Sequence, residues 1–69
     1  MRFSRHAKNR MRRHKLTRDE VLGIVASENQ KGQDPDGNPI YVKEVRSILF
    51  YAIVALDDGT LITIYDLKA

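Results

Sequence analysis

Apolar residues recur along this chain at two different periods, and the change of period divides it. Between residues 4 and 14, Ala7 and Met11 lie four apart, Phe3 stands just before them, and His14 continues the stripe. That spacing is one face of an α-helix. Ser4 is placed to accept from an orphan N–H of the first turn, so a helix is expected over residues 4–14. A second helix, over residues 17–27, has a fuller start signal. Thr17-Arg18-Asp19-Glu20 is a capping box, and Leu16 and Val21 are spaced as a hydrophobic staple around it. Val21, Leu22, Ile24 and Val25 give this helix a broad apolar face, and Gly23 within it suggests a close helix approach, because an interior glycine costs up to ~1 kcal/mol.

Beyond the helices the pattern becomes polar, then alternates in twos. Residues 27–33 suit at most a weak, exposed strand, and Asp34-Pro35-Asp36-Gly37-Asn38-Pro39 is a loop or hairpin end. Residues 40–46 alternate imperfectly, as in a partly exposed strand. Residues 47–56 are almost continuously apolar, the pattern of a central strand covered on both faces. Asp57-Asp58-Gly59 predicts a hairpin turn, and residues 60–66 return as its partner strand. Met1-Arg2-Phe3 suits a short lead-in strand.

Both helices must bury their apolar stripes, and one face of the sheet is the only surface large enough. The expected fold is therefore α+β and two-layered, with two N-terminal helices on an antiparallel sheet of three to four strands (at 40–66) in one domain, 1–69. Ile62 and Ile64 point one way along the last strand, and Leu61, Thr63, Tyr65 and Leu67 the other. If the isoleucines meet the helices, Thr63 and Tyr65 lie on the open side. In the reverse register they approach His6.

Charge sharpens this picture. The formal net charge is +3, yet residues 1–18 carry eight bases and no acid (+8), whereas residues 19–69 carry four bases and nine acids (−5). A basic segment on an acidic body is the electrostatic footprint of a polyanion site. Its cations Arg2, Arg5, Lys8, Arg12 and Lys15, with Arg46 from the strands, are the candidate phosphate contacts. At 69 residues without cysteine, the chain has a small core and neither disulfides nor thiolate metal sites. It has no apolar run of the ~20 residues a membrane helix needs and no secretory-signal pattern, so a cytoplasmic location away from membranes is expected.

His6, Arg10 and Arg13 recur at i, i+4 and i+7 and share one helix face. An imidazole can take and return a proton near neutral pH, and guanidinium forks suit phosphate oxygens. Together they have the parts for metal-free RNA cleavage. His6 would accept the proton of a ribose 2′-OH, Arg10 and Arg13 would stabilise the phosphorane, and Thr63, Tyr65 or Arg46 would supply the remaining donor. His14 is expected to pack at the helix end. His6 and His14 lie ~12 Å apart along the helix, too far to share an ion. No zinc, EF-hand or Gly-rich phosphate motif is present, and no metal or cofactor is expected. A helix-turn-helix reading of residues 4–27 fails because the basic residues lie on the first helix, not the second.

The order Phe3-Ser4-x-His6-Ala7-x-x-Arg10-Met11-x-x-Arg13, then Leu16-Thr17-x-Asp19-Glu20-Val21 and a closing Leu61-Ile62-Thr63-Ile64-Tyr65, resembles the small bacterial and phage family called domain of unknown function 4258. The likeness covers nearly the whole chain. Where that family has a glycine between the helices, this chain has His14 and Lys15. The family is distantly similar to RelE/ParE-like toxins, a superfamily that also includes gyrase inhibitors. The resemblance implies RNA cleavage to a 2′,3′-cyclic phosphate through His6, Arg10, Arg13 and Thr63, with Tyr65 beside them, and an acidic antitoxin as partner. Two rival readings stay open: a non-enzymatic nucleic-acid-binding module, and a protein-interaction subunit that docks its basic helix on an acidic chain. Unpaired sheet edges would also allow a homodimer.

Overall fold

The structure, a computed structural model, describes residues 1–67. Two helices, α1 (Arg5–His14) and α2 (Arg18–Ile24), precede an antiparallel sheet of β1 (Gln30–Gln33), β2 (Pro39–Val45), β3 (Ile48–Val54) and β4 (Leu61–Asp66). Spatial order follows chain order, β1-β2-β3-β4. The fold is α+β, with both helices packed on the sheet as the periodicity requires.

Ala7 from α1, Leu16 between the helices, and Val21 and Ile24 from α2 meet Phe50, Ala52, Val54, Leu61 and Ile64 from the sheet, and all nine are buried. Phe3, Met11, Val25, Tyr41 and Val45 pack around this layer. The Met1-Arg2-Phe3 lead-in is a single parallel bridge, Phe3 to Leu61, flanked by hydrogen bonds from the Leu61 N–H to the Arg2 carbonyl and from the Ser4 N–H to the Leu61 carbonyl.

The capping box forms as expected. The Glu20 N–H donates to Thr17 Oγ1 (3.1 Å) and the Thr17 N–H to Glu20 Oε1 (2.8 Å). The helix is shorter than its periodicity predicts, however, and ends at Ile24 rather than residue 27. Asn29, at the end of a 3-10 turn (Ser27–Asn29), explains the early stop. Its side-chain amide donates to the carbonyls of Gly23 (2.9 Å) and Ile24 (3.1 Å), which satisfies the helix end three residues early. Gly23 marks no close helix approach either. A Cβ there would meet nothing nearer than Lys43 Nζ, at 3.9 Å.

β3 is central, hydrogen-bonded to β2 and β4, but only one of its faces is covered. Phe50, Ala52 and Val54 turn inward, whereas Leu49, Tyr51 and Ile53 turn to the open side. The continuous apolar run thus reflects one face in the core and one uncovered. The register places Ile40 and Val42 of β2 beside Ile53 and Tyr51 on that open face, and Thr63 and Tyr65 of β4 beside the same two residues from the other side.

A bulge resolves the register of β4. Val54 pairs with Leu61 but Ile53 pairs with Thr63, leaving Ile62 as an extra residue. Leu61 and Ile64 therefore both reach the core, while Ile62 is exposed. Strict alternation would have put Ile62 and Ile64 on one face. The β3–β4 turn carries Gly59 at φ 75°, a conformation that favours glycine. The β2–β3 turn has no such residue, and Arg46 (φ 51°) and Ser47 (φ 67°) both take the left-handed conformation with side chains.

Three carboxylates hold turns and caps. The Thr17 backbone N–H and then the Arg46 guanidinium keep Glu20 below its ordinary pKa of 4.5. The Asn38 side chain, with nearby backbone N–H groups, lowers Asp34 from 3.8, and the Thr60 N–H does the same for Asp58. Folded-state values below the unfolded ones contribute stability at higher pH that is lost as pH falls through the depressed values. The thermal midpoint should therefore hold near neutrality and drop below about pH 4, and Glu20→Gln should flatten part of that acid limb in melts followed by circular dichroism. In the same assay Gly23→Ala should raise stability by up to ~1 kcal/mol, several degrees in a domain this size, because the helix gains a better former and nothing obstructs its Cβ.

Candidate nucleic-acid interface

α1 is fixed at both ends. Ser4 Oγ accepts from the Ala7 N–H (3.0 Å) and donates to the Ile62 carbonyl (2.7 Å), which joins the helix start to β4. At the other end Lys15 adopts the left-handed conformation (φ 55°, ψ 38°), its N–H donates to Arg12 (3.2 Å), and the Leu16 N–H donates to Met11 (2.9 Å). That closure leads Leu16 into the core without the glycine usual at such a position.

One stripe of α1 faces the sheet. Ala7 is fully buried, Met11 packs beside it, and His14 meets the Phe50 ring edge-on at 5.3 Å. His14 Nε2 is buried without a hydrogen-bond partner and lies 3.7 Å from Asp66 Oδ1, beyond hydrogen-bonding distance. The rest of the helix faces outward. Arg5, His6, Lys8, Arg12 and Arg13 are exposed, as is Lys15 just past the end, and Arg10 is half-buried. Among the described residues the acid–base contacts are the Arg46–Glu20 ion pair and the His14–Asp66 approach, so Arg5, Lys8, Arg10, Arg12, Arg13 and Lys15 have no acidic partner within reach. Six cations within eleven residues thus face solvent unneutralised.

The remaining bases have other roles. Arg2 lies close enough to Asp58 to help hold its carboxyl down. Arg18 covers the Phe3 ring at 5.3 Å and donates to the Met1 carbonyl (3.3 Å). Arg46, expected as a phosphate contact or proton donor, is committed elsewhere. Its guanidinium pairs with Glu20 and donates to the carbonyls of His14 (3.3 Å) and Lys15 (3.0 Å), clasping the α1–α2 turn to the β2–β3 turn.

His6, Arg10 and Arg13 share one flank of a regular helix. Thr63 and Tyr65 do not join them, because the β4 bulge puts both on the open face, with the sheet between. Tyr65 instead stacks on Tyr51, ring centroids 4.7 Å apart. That pair, the His14–Asp66 approach and the Arg46 clasp each depend on strand register or tertiary contact and had no signal in the spacing. A cavity of about 450 Å³, lined by Asp36, Asn38, Ala55, Leu56, Asp57 and Ile62, has no basic side chain in its wall. Among the described residues no three His, Cys, Asp or Glu side chains gather as they would around a metal ion, and no helix is long and apolar enough to cross a membrane.

No family model, curated protein or solved structure matches the chain. The likeness to the named family rests on the residues quoted for it.

Burial, and then the neighbouring Tyr51 hydroxyl, push the Tyr65 phenol above its ordinary value of 10.0. Stability tied to the neutral phenol is present below that value and is lost as pH rises through the raised one. In an alkaline titration followed by tyrosine absorbance, Tyr65 should ionise above pH 10.0. Tyr51→Phe should bring its midpoint down while leaving the part due to burial.

Proposed function

We propose that the chain is a nucleic-acid-binding module that grips the phosphate backbone with the outer face of α1. The observation that carries this reading is the set of six cations, Arg5, Lys8, Arg10, Arg12, Arg13 and Lys15, spread around the outer side of α1 and its end without an acidic partner among the described residues, on an otherwise acidic body. Like charges so close repel one another, and a polyanion relieves that repulsion while releasing its own counter-ions. α1 carries no Phe, Tyr or Trp on which a base could stack, so the contacts suit backbone rather than base recognition.

RNA cleavage is the second reading, favoured by the common flank of His6, Arg10 and Arg13. It has a base and two phosphate-stabilising groups but lacks its strand hydroxyl, since Thr63 and Tyr65 lie across the sheet. An acidic antitoxin would compete for the same helix face.

Fluorescence anisotropy with labelled mixed-sequence RNA, in EDTA and over a salt series, separates the two. Backbone binding by six cations should give a log affinity that falls by roughly 4 per tenfold rise in salt on single strands. Arg10→Ala and Arg12→Ala should weaken binding by similar factors, each reducing that slope by about 0.7. His6→Ala should bind nearly as well as the parent, and the RNA should stay intact. Cyclic-phosphate ends made by the parent and not by His6→Ala would replace the binding reading with the nuclease.

A further inference from the structure

The cations of α1 occupy two flanks of the helix, not one. At about 100° of turn per residue, Lys8 and Arg10 point about 200° apart, and Arg5, Arg12 and Arg13 fall between them on the outer side. Arg5, Lys8 and Arg12, at i, i+3 and i+7, form one row, and Lys15 follows just past the helix end. Arg10 and Arg13, three apart, form the other. Asn9 is exposed between the rows, nearly opposite the Ala7–Met11 stripe that faces the core.

α1 also stands at the margin of its layer. It packs over β4, the last strand of the sheet, whereas α2 packs over β2, with β3 between. Among the described residues only the Phe3 bridge borders β4 on its far side, and only at its start. The outer side of the helix is therefore open to a large partner.

Building on the phosphate grip proposed for α1, we infer that its target is duplex DNA, which the helix enters through the major groove. Cations on opposite flanks cannot face one phosphate strand together, but the two backbones that border a groove meet both rows at once. The major groove of B-form DNA is ~12 Å wide and an α-helix with its side chains ~10–12 Å across, so the helix fits between the backbones. The 10 residues of α1, at ~1.5 Å each, span about four base pairs at ~3.4 Å each.

Other nucleic acids lack this match. The major groove of duplex RNA is too deep and narrow for side chains to read. Single strands are held largely through bases stacked on aromatic rings, and α1 has none. In the DNA groove Asn9 comes to face the base edges, where an amide can pair with adenine. One amide beside six cations leaves the affinity with the phosphates, so sequence preference is slight.

Fluorescence anisotropy at one salt concentration tests this with three probes: a short mixed-sequence DNA duplex, an RNA duplex of the same sequence, and one DNA strand alone. The two duplexes carry similar charge, so a difference between them reports the groove and not the phosphates. The DNA duplex should bind at least about tenfold tighter than either other probe. Its log affinity should fall by roughly 5 per tenfold rise in salt. Dimethyl sulfate reads the groove directly, because guanine N7 lies in the major groove and adenine N3 in the minor. Saturating protein should slow methylation at N7 and leave it unchanged at N3. Asn9→Glu, which sets a carboxylate between two phosphate backbones, should weaken duplex DNA at least about tenfold and the single strand less. Asn9→Gln should bind like the parent, and thermal melts check that both variants are folded. Salt-dependent binding in which the DNA duplex holds no advantage would overturn the inference and leave the phosphate grip standing. So would unhindered N7 methylation, or an Asn9→Glu loss no larger on the duplex than on the strand. Absence of salt-dependent binding to every probe would overturn both.

Discussion

One apolar layer, nine buried side chains deep between two short helices and one face of a sheet, is what the fold depends on. A chain of 69 residues has neither disulfides nor a second core to supplement it. Every other device brings an element to that layer and holds it there. Ser4 ties the start of α1 to β4, the capping box starts α2, Asn29 closes it, and Arg46 joins the turn between the helices to the turn between two strands. All of them are short-range or surface contacts of modest strength. Together they determine which side chains meet the core and which remain outside.

The acids of the chain show why the basic helix stays unneutralised. Glu20, Asp34 and Asp58 serve caps and turns, where backbone N–H groups claim their oxygens, and Asp66 points toward His14 on the inner side of the sheet. A carboxylate held in a turn cannot also reach across to α1. These four acids are thus withheld from residues 1–18, and among the described residues no other carboxylate pairs with the cations on the outer side of α1, although the net charge of the chain is small. Charge is one-sided: cations lie outermost on α1, and the open sheet face carries a single charged side chain from β2 to β4, Glu44.

What could be read from the residues in advance was local. The cap at Ser4, the box at Thr17–Glu20, the i, i+4 stripe and the change to period two involve residues a few positions apart, and the α+β architecture follows from them. The stop of α2 was misplaced because it is set by Asn29, a side chain beyond the helix. The faces of β4 were undecided because they turn on one extra residue, Ile62, whose presence in a bulge is fixed by pairing with β3 rather than by its neighbours. That residue is also what separates Thr63 and Tyr65 from His6. Arg46 looked like a free cation because its partners lie 26 to 32 positions away.

The turn at Arg46 and Ser47 carries a consequence for how this chain can change. Its backbone geometry suits glycine or asparagine, and a glycine at the first position would relax it. Glycine has no guanidinium, so the same replacement would release the helix turn from the sheet. Local and tertiary preferences conflict at one position, a small case of frustration in the energy-landscape sense. No single substitution there satisfies both. A change at this position therefore trades the clasp against the turn.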